Sequence, residues 1–222
     1  IMNDLLEITA EDNHQFEAYI SQPLGNPKGG IVIIQEIFGV NTHIKEVADL
    51  YASKGYLCIA PSLFDRIEKN VILNYDDNGI SKGRNLKELC DKIALKDIEA
   101  SISVVSSAGK VGVIGYCWGG SLSWRIGCES SNISASVCYY GGDIPKLRDL
   151  KPKCNILAHF GEFDKGIPIK NVKIFEKKRP EVLTYTYPAD HGFNCNHRSQ
   201  FDETCAKVAL NRTLKFLERN LI

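Results

Sequence analysis

A short segment near the middle of the chain constrains the fold more than any other. Residues 111–114 are apolar and uncharged, which predicts a strand buried inside a sheet. The next five residues place a nucleophile between two small residues, in the order Gly115-Tyr116-Cys117-Trp118-Gly119. This spacing is typical of a sharp turn from a strand into a helix, where larger side chains would collide and the nucleophile is pushed clear of the sheet. Taken alone, the pattern also fits a structural cysteine, because free cysteine is among the most buried residue types.

Predicted strands and helices alternate along the rest of the chain. Residues 5–8 and 16–20 predict an antiparallel hairpin, and most later strands are continuous apolar runs, typical of parallel strands buried on both faces. We predict the later strands at residues 30–35, 56–60, 111–114, 135–140, 155–160 and 182–187, and helices at residues 42–54, 86–106, 118–128, 168–178 and 202–219. Residues 62–84 have no clear periodicity and predict a long surface excursion. The order of elements predicts an α/β fold in one domain spanning residues 1–222, with a mostly parallel central sheet covered by helices on both faces.

The composition excludes several classes of function. Of the 222 residues 27 are basic and 27 acidic, so a formal net charge of zero gives no sign of a nucleic acid or anionic membrane as partner. No apolar run is long enough to span a bilayer, and the N-terminal residues lack the pattern of a signal peptide. The eight cysteines form no Cys-x-x-Cys pair, which favours reduced thiols in a cytoplasmic protein. We expect a monomer that acts on a small molecule and needs no cofactor or metal ion.

Reactive side chains follow several of the predicted strands. Cys117, Asp164 and His191 each come just after a strand, in the chain order nucleophile, acid, histidine. Glu36 follows the strand at residues 30–35. Because ligands of parallel sheets bind at the carboxyl ends of the strands, residues far apart in the sequence can meet there. The order is also the one in which the α/β-hydrolase topology carries its catalytic triad, which favours a catalytic role for Cys117.

The motifs at these strand ends resemble those of the dienelactone hydrolases, also called carboxymethylenebutenolidases. The resemblance extends from Gln35 to the C-terminal helix and rests on Gln35-Glu36-Ile37-Phe38-Gly39, Gly115-Tyr116-Cys117-Trp118-Gly119-Gly120, Tyr139-Tyr140-Gly141, His159-Phe160-Gly161-Glu162-x-Asp164 and His191-Gly192-Phe193-Asn194-Cys195. It implies an α/β-hydrolase fold, a Cys-His-Asp triad and hydrolysis of a lactone or ester. It also implies that Glu36 contacts the cysteine thiol before substrate binds, is displaced by substrate and takes the thiol proton.

We expect the residues of the predicted site to have separate tasks. Cys117 would attack the carbonyl carbon, His191 would act first as base and then as acid, and Asp164 would orient the imidazole. The backbone N–H groups of Ile37 and Trp118 would bind the oxyanion.

The motifs identify the substrate-binding residues less specifically than they identify the catalytic residues. Phe38 and Tyr140 are expected to line an apolar pocket, and Arg198 and Arg84 to reach an acidic group of the substrate, since arginine suits bidentate carboxylate binding. Family members that act on dienelactone place an arginine shortly after the triad histidine, where this chain has Cys195. The resemblance therefore implies hydrolysis of an ester or lactone and leaves dienelactone itself open.

Two other functions are compatible with the sequence. His191, Cys195 and His197 could bind a metal ion, with His159 as a fourth ligand. Alternatively, the protein could be a non-hydrolytic thiol protein, such as a redox sensor, in which Cys117 is oxidised. No second cysteine lies near it in the sequence to resolve such an oxidation, and the acid and the histidine would then have no task.

Overall fold

The computed structural model describes all 222 residues and contains one eight-stranded sheet and six α-helices. The strands are β1 (Met2–Thr9), β2 (Gln15–Gln22), β3 (Gly30–Ile34), β4 (Leu57–Pro61), β5 (Val111–Tyr116), β6 (Ala135–Tyr139), β7 (Asn155–Gly161) and β8 (Leu183–Tyr187). The helices are α1 (Thr42–Ser53), α2 (Asp77–Cys90), α3 (Ala94–Val105), α4 (Trp118–Glu129), α5 (Ile169–Lys178) and α6 (Glu203–Leu221). None of these helices combines the length and the apolar character needed to cross a bilayer.

The sheet places the motif-bearing strands side by side. The strand order is β1-β2-β4-β3-β5-β6-β7-β8. β1 pairs with β2 and β2 with β4 in antiparallel fashion, and every other pair is parallel. The predicted α/β fold, with its N-terminal hairpin and mostly parallel sheet, is therefore confirmed. The carboxyl ends of β3, β5, β7 and β8 lie at one edge of the sheet, so the loops that follow these strands are neighbours.

The continuous apolar runs arise because helices cover both faces of the sheet. In β3, the side chains of Ile31 and Ile33 belong to the apolar cluster that contains the inner faces of α1 and α6. Those of Val32 and Ile34 point the other way, into the cluster that contains the inner face of α3. All four residues are fully buried. A strand in this position has no solvent face and no alternation of polar and apolar residues.

The prediction of a surface excursion over residues 62–84 is wrong. Leu63–Arg66 forms a 3₁₀ turn, and α2 begins at Asp77, where the side chain of Asp76 accepts a hydrogen bond from the N–H of Gly79 at 2.8 Å. The helix is hard to recognise because it is polar and contains two glycines, which lower its intrinsic helix propensity. Its stability comes mainly from contacts with the rest of the protein, which a local pattern does not reveal.

The prediction of one helix over residues 86–106 is also wrong, because a turn at residues 91–93 separates α2 from α3. The carboxylate of Asp91 accepts hydrogen bonds from the Trp118 Nε1 atom at 2.7 Å and from Arg125 at 3.1 Å. These contacts tie the turn to α4. They connect residues that are far apart in the sequence, so the helical periodicity around Asp91 carries no sign of them.

Candidate active site

Cys117 occupies a sharp turn between β5 and α4. Its backbone angles, φ 57° and ψ −115°, are unusual for a residue with a side chain, and such conformations cost on the order of 1–3 kcal/mol. The flanking glycines are required by close backbone contacts. A Cβ atom on Gly115 would collide with the carbonyl group of Gly119, and a Cβ atom on Gly119 would collide with the carbonyl group of Ile34. The turn leaves Cys117 half-buried on the wall of a cavity.

A continuous chain of hydrogen bonds joins three of the predicted site residues. The Cys117 Sγ atom lies 3.2 Å from the His191 Nε2 atom, and the His191 Nδ1 atom lies 2.6 Å from the Asp164 Oδ2 atom. His191 and Cys117 are separated by 74 positions in the sequence, and His191 and Asp164 by 27. The three side chains meet because each follows one of the parallel strands β5, β7 and β8.

Asp164 is held rigidly from its other side. Its Oδ1 atom accepts hydrogen bonds from the N–H groups of Gly166 at 2.8 Å and Ile167 at 3.1 Å, and the residue is almost fully buried. This leaves the Oδ2 atom to His191 and fixes the plane of the imidazole. The geometry matches an acid that orients a histidine.

The electrostatics of the site favour a charged imidazole. Burial opposes the positive charge, but the neighbouring sulfur of Cys117 and the carboxylate of Asp164 outweigh it and raise the pKa of His191 to about 10. An imidazolium next to a cysteine stabilises the thiolate, which is the nucleophilic form of the side chain. The arrangement therefore places a charged imidazole against the sulfur of Cys117.

Two residues expected to bind the oxyanion through their backbone N–H groups, Ile37 and Trp118, line the cavity that contains Cys117. Trp118 is the first residue of α4, so the helix supplies no acceptor for its N–H group, and the positive end of the helix dipole lies there. Ile37 follows β3, and both residues line the cavity that contains Cys117. The two predicted oxyanion donors are thus brought to the same cavity as the nucleophile.

Glu36 is a fully buried carboxylate whose two oxygens both have partners. The Oε1 atom accepts a hydrogen bond from Arg198 at 3.2 Å, and the Oε2 atom accepts one from the hydroxyl group of Tyr75 at 3.1 Å. The resemblance implied a contact between this carboxylate and the cysteine thiol. In this structure the hydrogen bond of the Cys117 thiol is instead made with His191.

Tyr75 is a site residue that the sequence analysis missed. Its hydroxyl group accepts hydrogen bonds from the Asn41 side chain at 2.9 Å and from the Cys195 thiol at 3.4 Å while it donates to Glu36. Its ring also lies 5.5 Å from the guanidinium of Arg198. The only sequence signal is an aromatic residue shortly before α2, in a segment without clear periodicity that predicts a surface loop.

The cavity in front of Cys117 has a volume of about 440 Å³ and an uneven distribution of charge. Four cationic side chains line it, against two carboxylates, Asp164 and Asp190. The cationic residues are Arg84, Lys87, Lys165 and Arg198. Phe38 and Ile37 supply apolar wall next to the nucleophile. The cavity can therefore accept a small organic molecule that carries negative charge.

Arg84 and Lys87 lie three residues apart on α2 and reach the cavity together. Arg84 is exposed and makes no ion pair with the protein, whereas Lys87 pairs with Asp143 at 3.2 Å. Arg198 is mostly buried and pairs with Glu36. Lys87 is a cavity residue that the sequence analysis missed, because no local pattern shows that this face of α2 lines the cavity.

Tyr140 does not line the cavity. It is fully buried, and its ring lies 5.1 Å from the ring of His191, so it supports the histidine from behind. The residue follows β6 directly and has a positive φ of 38°. The backbone turn directs the side chain into the core, which the strand-end position alone does not reveal.

The structure does not bring together the metal ligands considered from the sequence. His159 lies in the core, where its ring nitrogens contact the hydroxyl groups of Tyr187 at 2.8 Å and Thr213 at 3.0 Å. His191 is engaged with Asp164 and Cys117. That combination of residues is therefore not a metal site.

Comparisons with known proteins agree with the fold and the motifs. The family model described as the dienelactone hydrolase family matches residues 16–221. A putative carboxymethylenebutenolidase of Synechocystis is 30% identical over 231 residues, which covers 94% of this chain and 94% of that protein. Carboxymethylenebutenolidase 1 of Cupriavidus pinatubonensis is 29% identical, over 98% of this chain and 97% of that protein. The crystal structure of a putative dienelactone hydrolase from Klebsiella pneumoniae superposes with a TM-score of 0.82 at 25% identity, over 99% of this chain and all of that one.

The match spans nearly the whole chain and includes each of the strand-end motifs. Several proteins with the same strand arrangement are esterases, and their low sequence identity restricts that likeness to the fold. The family assignment rests instead on the family model and on the curated relatives, which cover the chain from end to end. The chain belongs to the dienelactone hydrolase family and is a hydrolase of the ester and lactone class.

Proposed function

We propose that this enzyme cleaves its lactone or ester through a thioester formed on Cys117, with His191 and Asp164 completing a catalytic triad. The observation that supports the proposal best is the unbroken hydrogen-bond chain from Asp164 through His191 to Cys117. A thiol sensor needs no buried aspartate bound to a histidine, so this chain favours hydrolysis over the redox alternative.

The proposed reaction has two balanced halves. The Cys117 thiolate attacks the carbonyl carbon, and the electron pair of the C=O bond moves to the oxygen, where the N–H groups of Ile37 and Trp118 stabilise it. The tetrahedral intermediate expels the alkoxide, which takes the proton from the Nε2 atom of His191. A water molecule then attacks the thioester and gives a proton to His191, and the sulfur leaves as thiolate. In a lactone, the acid and the alcohol produced remain parts of one molecule.

We further propose that Glu36 takes the thiol proton of Cys117 before attack, the role that the family resemblance implies, so that His191 keeps its own proton for the leaving alkoxide. Glu36 returns the proton to the sulfur after the thioester is hydrolysed. Its support is positional, because the buried carboxylate lies at the end of β3, one residue before the oxyanion donor Ile37. In this structure Arg198 and Tyr75 hold both carboxylate oxygens. Proton transfer from the thiol would therefore require Glu36 to leave these partners.

The cationic wall of the cavity supports an acidic substrate. Arg84 carries a charge with no partner in the protein, and Arg198 lines the same cavity with its guanidinium 5.6 Å from the ring centroid of Phe38. Several curated relatives are named carboxymethylenebutenolidase, a name that denotes a carboxylic acid attached to an unsaturated lactone. We propose that Arg84 and Arg198 bind the acidic group of the substrate, that Phe38 packs against its apolar part, and that Tyr140 acts only by supporting His191.

Substitution of the nucleophile tests the central proposal. Cys117→Ala should lower kcat/KM for p-nitrophenyl acetate by at least about 10³-fold, as the loss of a covalent nucleophile does in other hydrolases. Cys154→Ala is the matched control, because this thiol is partly exposed but lines a different surface cavity. Cys154→Ala should keep the rate of the parent. If Cys117→Ala also retained that rate, the proposed nucleophile would be wrong.

A pair of esters tests the acidic-substrate proposal. Arg84→Ala should lower kcat/KM for an anionic ester, mono-p-nitrophenyl succinate, about fivefold, since exposed ion pairs contribute up to about 1 kcal/mol. Its rate with neutral p-nitrophenyl butyrate should not change. The control is Lys82→Ala, which removes a positive charge from the same helix but lies outside the cavity and pairs with Glu68. Equal losses on both esters, or the same selective loss in Lys82→Ala, would contradict the proposal.

The expected cytoplasmic location and monomeric state stay predictions. All eight cysteines are free thiols in this structure, which supports a reducing compartment. Light scattering of the purified protein tests the monomer directly.

A further inference from the structure

A second cavity lies between α1, α6 and the segment that follows β8. Its volume is about 280 Å³, and it shares no lining residue with the catalytic cavity. His43 and Glu46, from the first turns of α1, line it together with Asn194 and Asn196 from the segment after β8. His197 continues that segment and lies against the same two α1 residues.

Three potential metal ligands converge at this place. One ligand atom each from His43, Glu46 and His197 lie within 4.8 Å of one another. The His197 Nε2 atom is 2.7 Å from the Glu46 Oε2 atom, and the centroids of the two imidazole rings are 5.9 Å apart. Glu46 and His197 are 151 positions apart in the sequence, so no spacing motif could have indicated the cluster.

The burial of His43 distinguishes this cluster from an ion pair on the protein surface. The residue is 3% exposed, and its Nε2 atom is buried without a hydrogen-bond partner. An unpaired buried polar atom is unfavourable unless something else satisfies it. A bound metal ion is one group that would satisfy an unpartnered imidazole nitrogen.

We propose that His43, Glu46 and His197 form a binding site for a divalent transition-metal ion of the Zn²⁺ or Co²⁺ type. Two imidazole nitrogens and one carboxylate oxygen are ligands that Zn²⁺ accepts, and a water molecule can complete a tetrahedral set. Metal–ligand bonds of about 2.0–2.1 Å place neighbouring ligand atoms roughly 3.3 Å apart in such a site. The side chains of Glu46 and His197 are 51% and 35% exposed and are free to make this small adjustment around the buried His43.

The neighbouring charges are compatible with a cation. Lys207 lines the cavity, but its ammonium group pairs with Glu203 at 2.7 Å. Glu36 adds negative charge near His43, because one of its carboxylate oxygens lies within 4.8 Å of a ring nitrogen of His43. A bound ion would tie the segment after His191 to α1, next to Arg198. The site departs from the expectation that the protein binds no metal ion, and it is independent of the proposed triad.

Cobalt titration of the tag-free protein tests this inference. The experiment uses the full chain with Cys117→Ala, so that the catalytic thiol does not compete for the metal, after treatment with a chelator. We expect one equivalent of Co²⁺ to bind with the visible spectrum of nitrogen and oxygen ligation and without a thiolate charge-transfer band. Addition of Zn²⁺ should displace the Co²⁺.

Substitutions of the two exposed ligands complete the test. His197→Ala and Glu46→Gln should each weaken Co²⁺ binding at least tenfold without changing the circular dichroism spectrum. His14→Ala is the control, because it removes a partly exposed imidazole at the turn between β1 and β2, and it should bind Co²⁺ like the parent. The inference is overturned if micromolar Co²⁺ does not bind, if it binds with thiolate character, or if both ligand variants bind as tightly as the parent.

Discussion

Glu36 is a fully buried carboxylate, so its charge must be compensated by neighbouring groups. A fully buried carboxylate is stable only when it is paired, and both of its oxygens are engaged, one by Arg198 and one by Tyr75. The same residue is proposed to take a proton from Cys117. These two states are exclusive, so the ion pair with Arg198 must be exchanged during the reaction if the proposal holds.

Replacing the Glu36 carboxylate by an amide tests this role. Glu36→Gln keeps the shape of the side chain but cannot accept a proton, so kcat should fall about 10²-fold, the usual contribution of a proton-transfer group. Tyr75→Phe is the control, because it removes one hydrogen bond to Glu36 and leaves the carboxylate in place. Full activity of Glu36→Gln, together with a normal melting temperature, would refute the role.

At the scale of elements, α2 shapes the site although it supplies none of the three residues of the proposed triad. Gly83 packs against the backbone of Ile37, and a Cβ atom there would collide with the Ile37 carbonyl group. The same helix places Arg84 and Lys87 on the cavity wall. Gly83 therefore allows α2 to approach the segment after β3 closely.

Gly83→Ala tests the closeness of this packing. Alanine normally stabilises a helix relative to glycine by about 1 kcal/mol. In α2, the collision with Ile37 should outweigh this gain, so that Gly83→Ala lowers the free energy of unfolding by about 1–3 kcal/mol and reduces activity. Ser81→Ala, at an exposed position of α2, is the control and should leave the melting temperature nearly unchanged. A Gly83→Ala protein as stable and active as the parent would show that α2 is not in close contact.

The contacts of α2 also illustrate which features of the fold and of the site can be predicted from the sequence. The proximity of Cys117, Asp164 and His191 could be predicted from the sequence, because parallel strands bring residues at their carboxyl ends to one edge of the sheet. The hydrogen-bond partners of Glu36 and the inward orientation of the Tyr140 side chain could not be predicted, because they depend on contacts between distant segments. The first part of α2 could not be predicted for the same reason, because contacts with the rest of the protein stabilise this helix more than its local sequence does.

At the scale of the whole molecule, the sheet contains a buried polar layer beneath the site. His159 lies between the hydroxyl groups of Tyr187 and Thr213, and burial, with a smaller effect of Arg212, lowers its pKa to about 3. An unfolded histidine has a pKa of about 6.5. Between these values the unfolded chain binds more protons than the folded protein, so acidification destabilises the fold.

The stability of the protein should therefore fall as the pH is lowered through this window. His159 contributes a slope of about 1.4 kcal/mol for each pH unit below 6.5, and the neutral His43 acts in the same direction. His191 does not contribute there, because its raised pKa leaves it protonated in both states below about 6.5. Urea denaturation at pH 7 and pH 5 should show a loss about 2 kcal/mol smaller in His159→Gln than in the parent. Equal losses in the two proteins would contradict this assignment.

Detection of the acyl-enzyme tests the central claim most directly. His191→Gln should slow hydrolysis of the thioester, so that the acylated protein accumulates with a p-nitrophenyl ester and is trapped by acid. Mass spectrometry should then find one acyl group on the peptide that contains Cys117, and none after the same treatment of Cys117→Ala. Turnover of the ester by the parent with no acyl group ever found on Cys117, or full turnover by Cys117→Ala, would contradict the account.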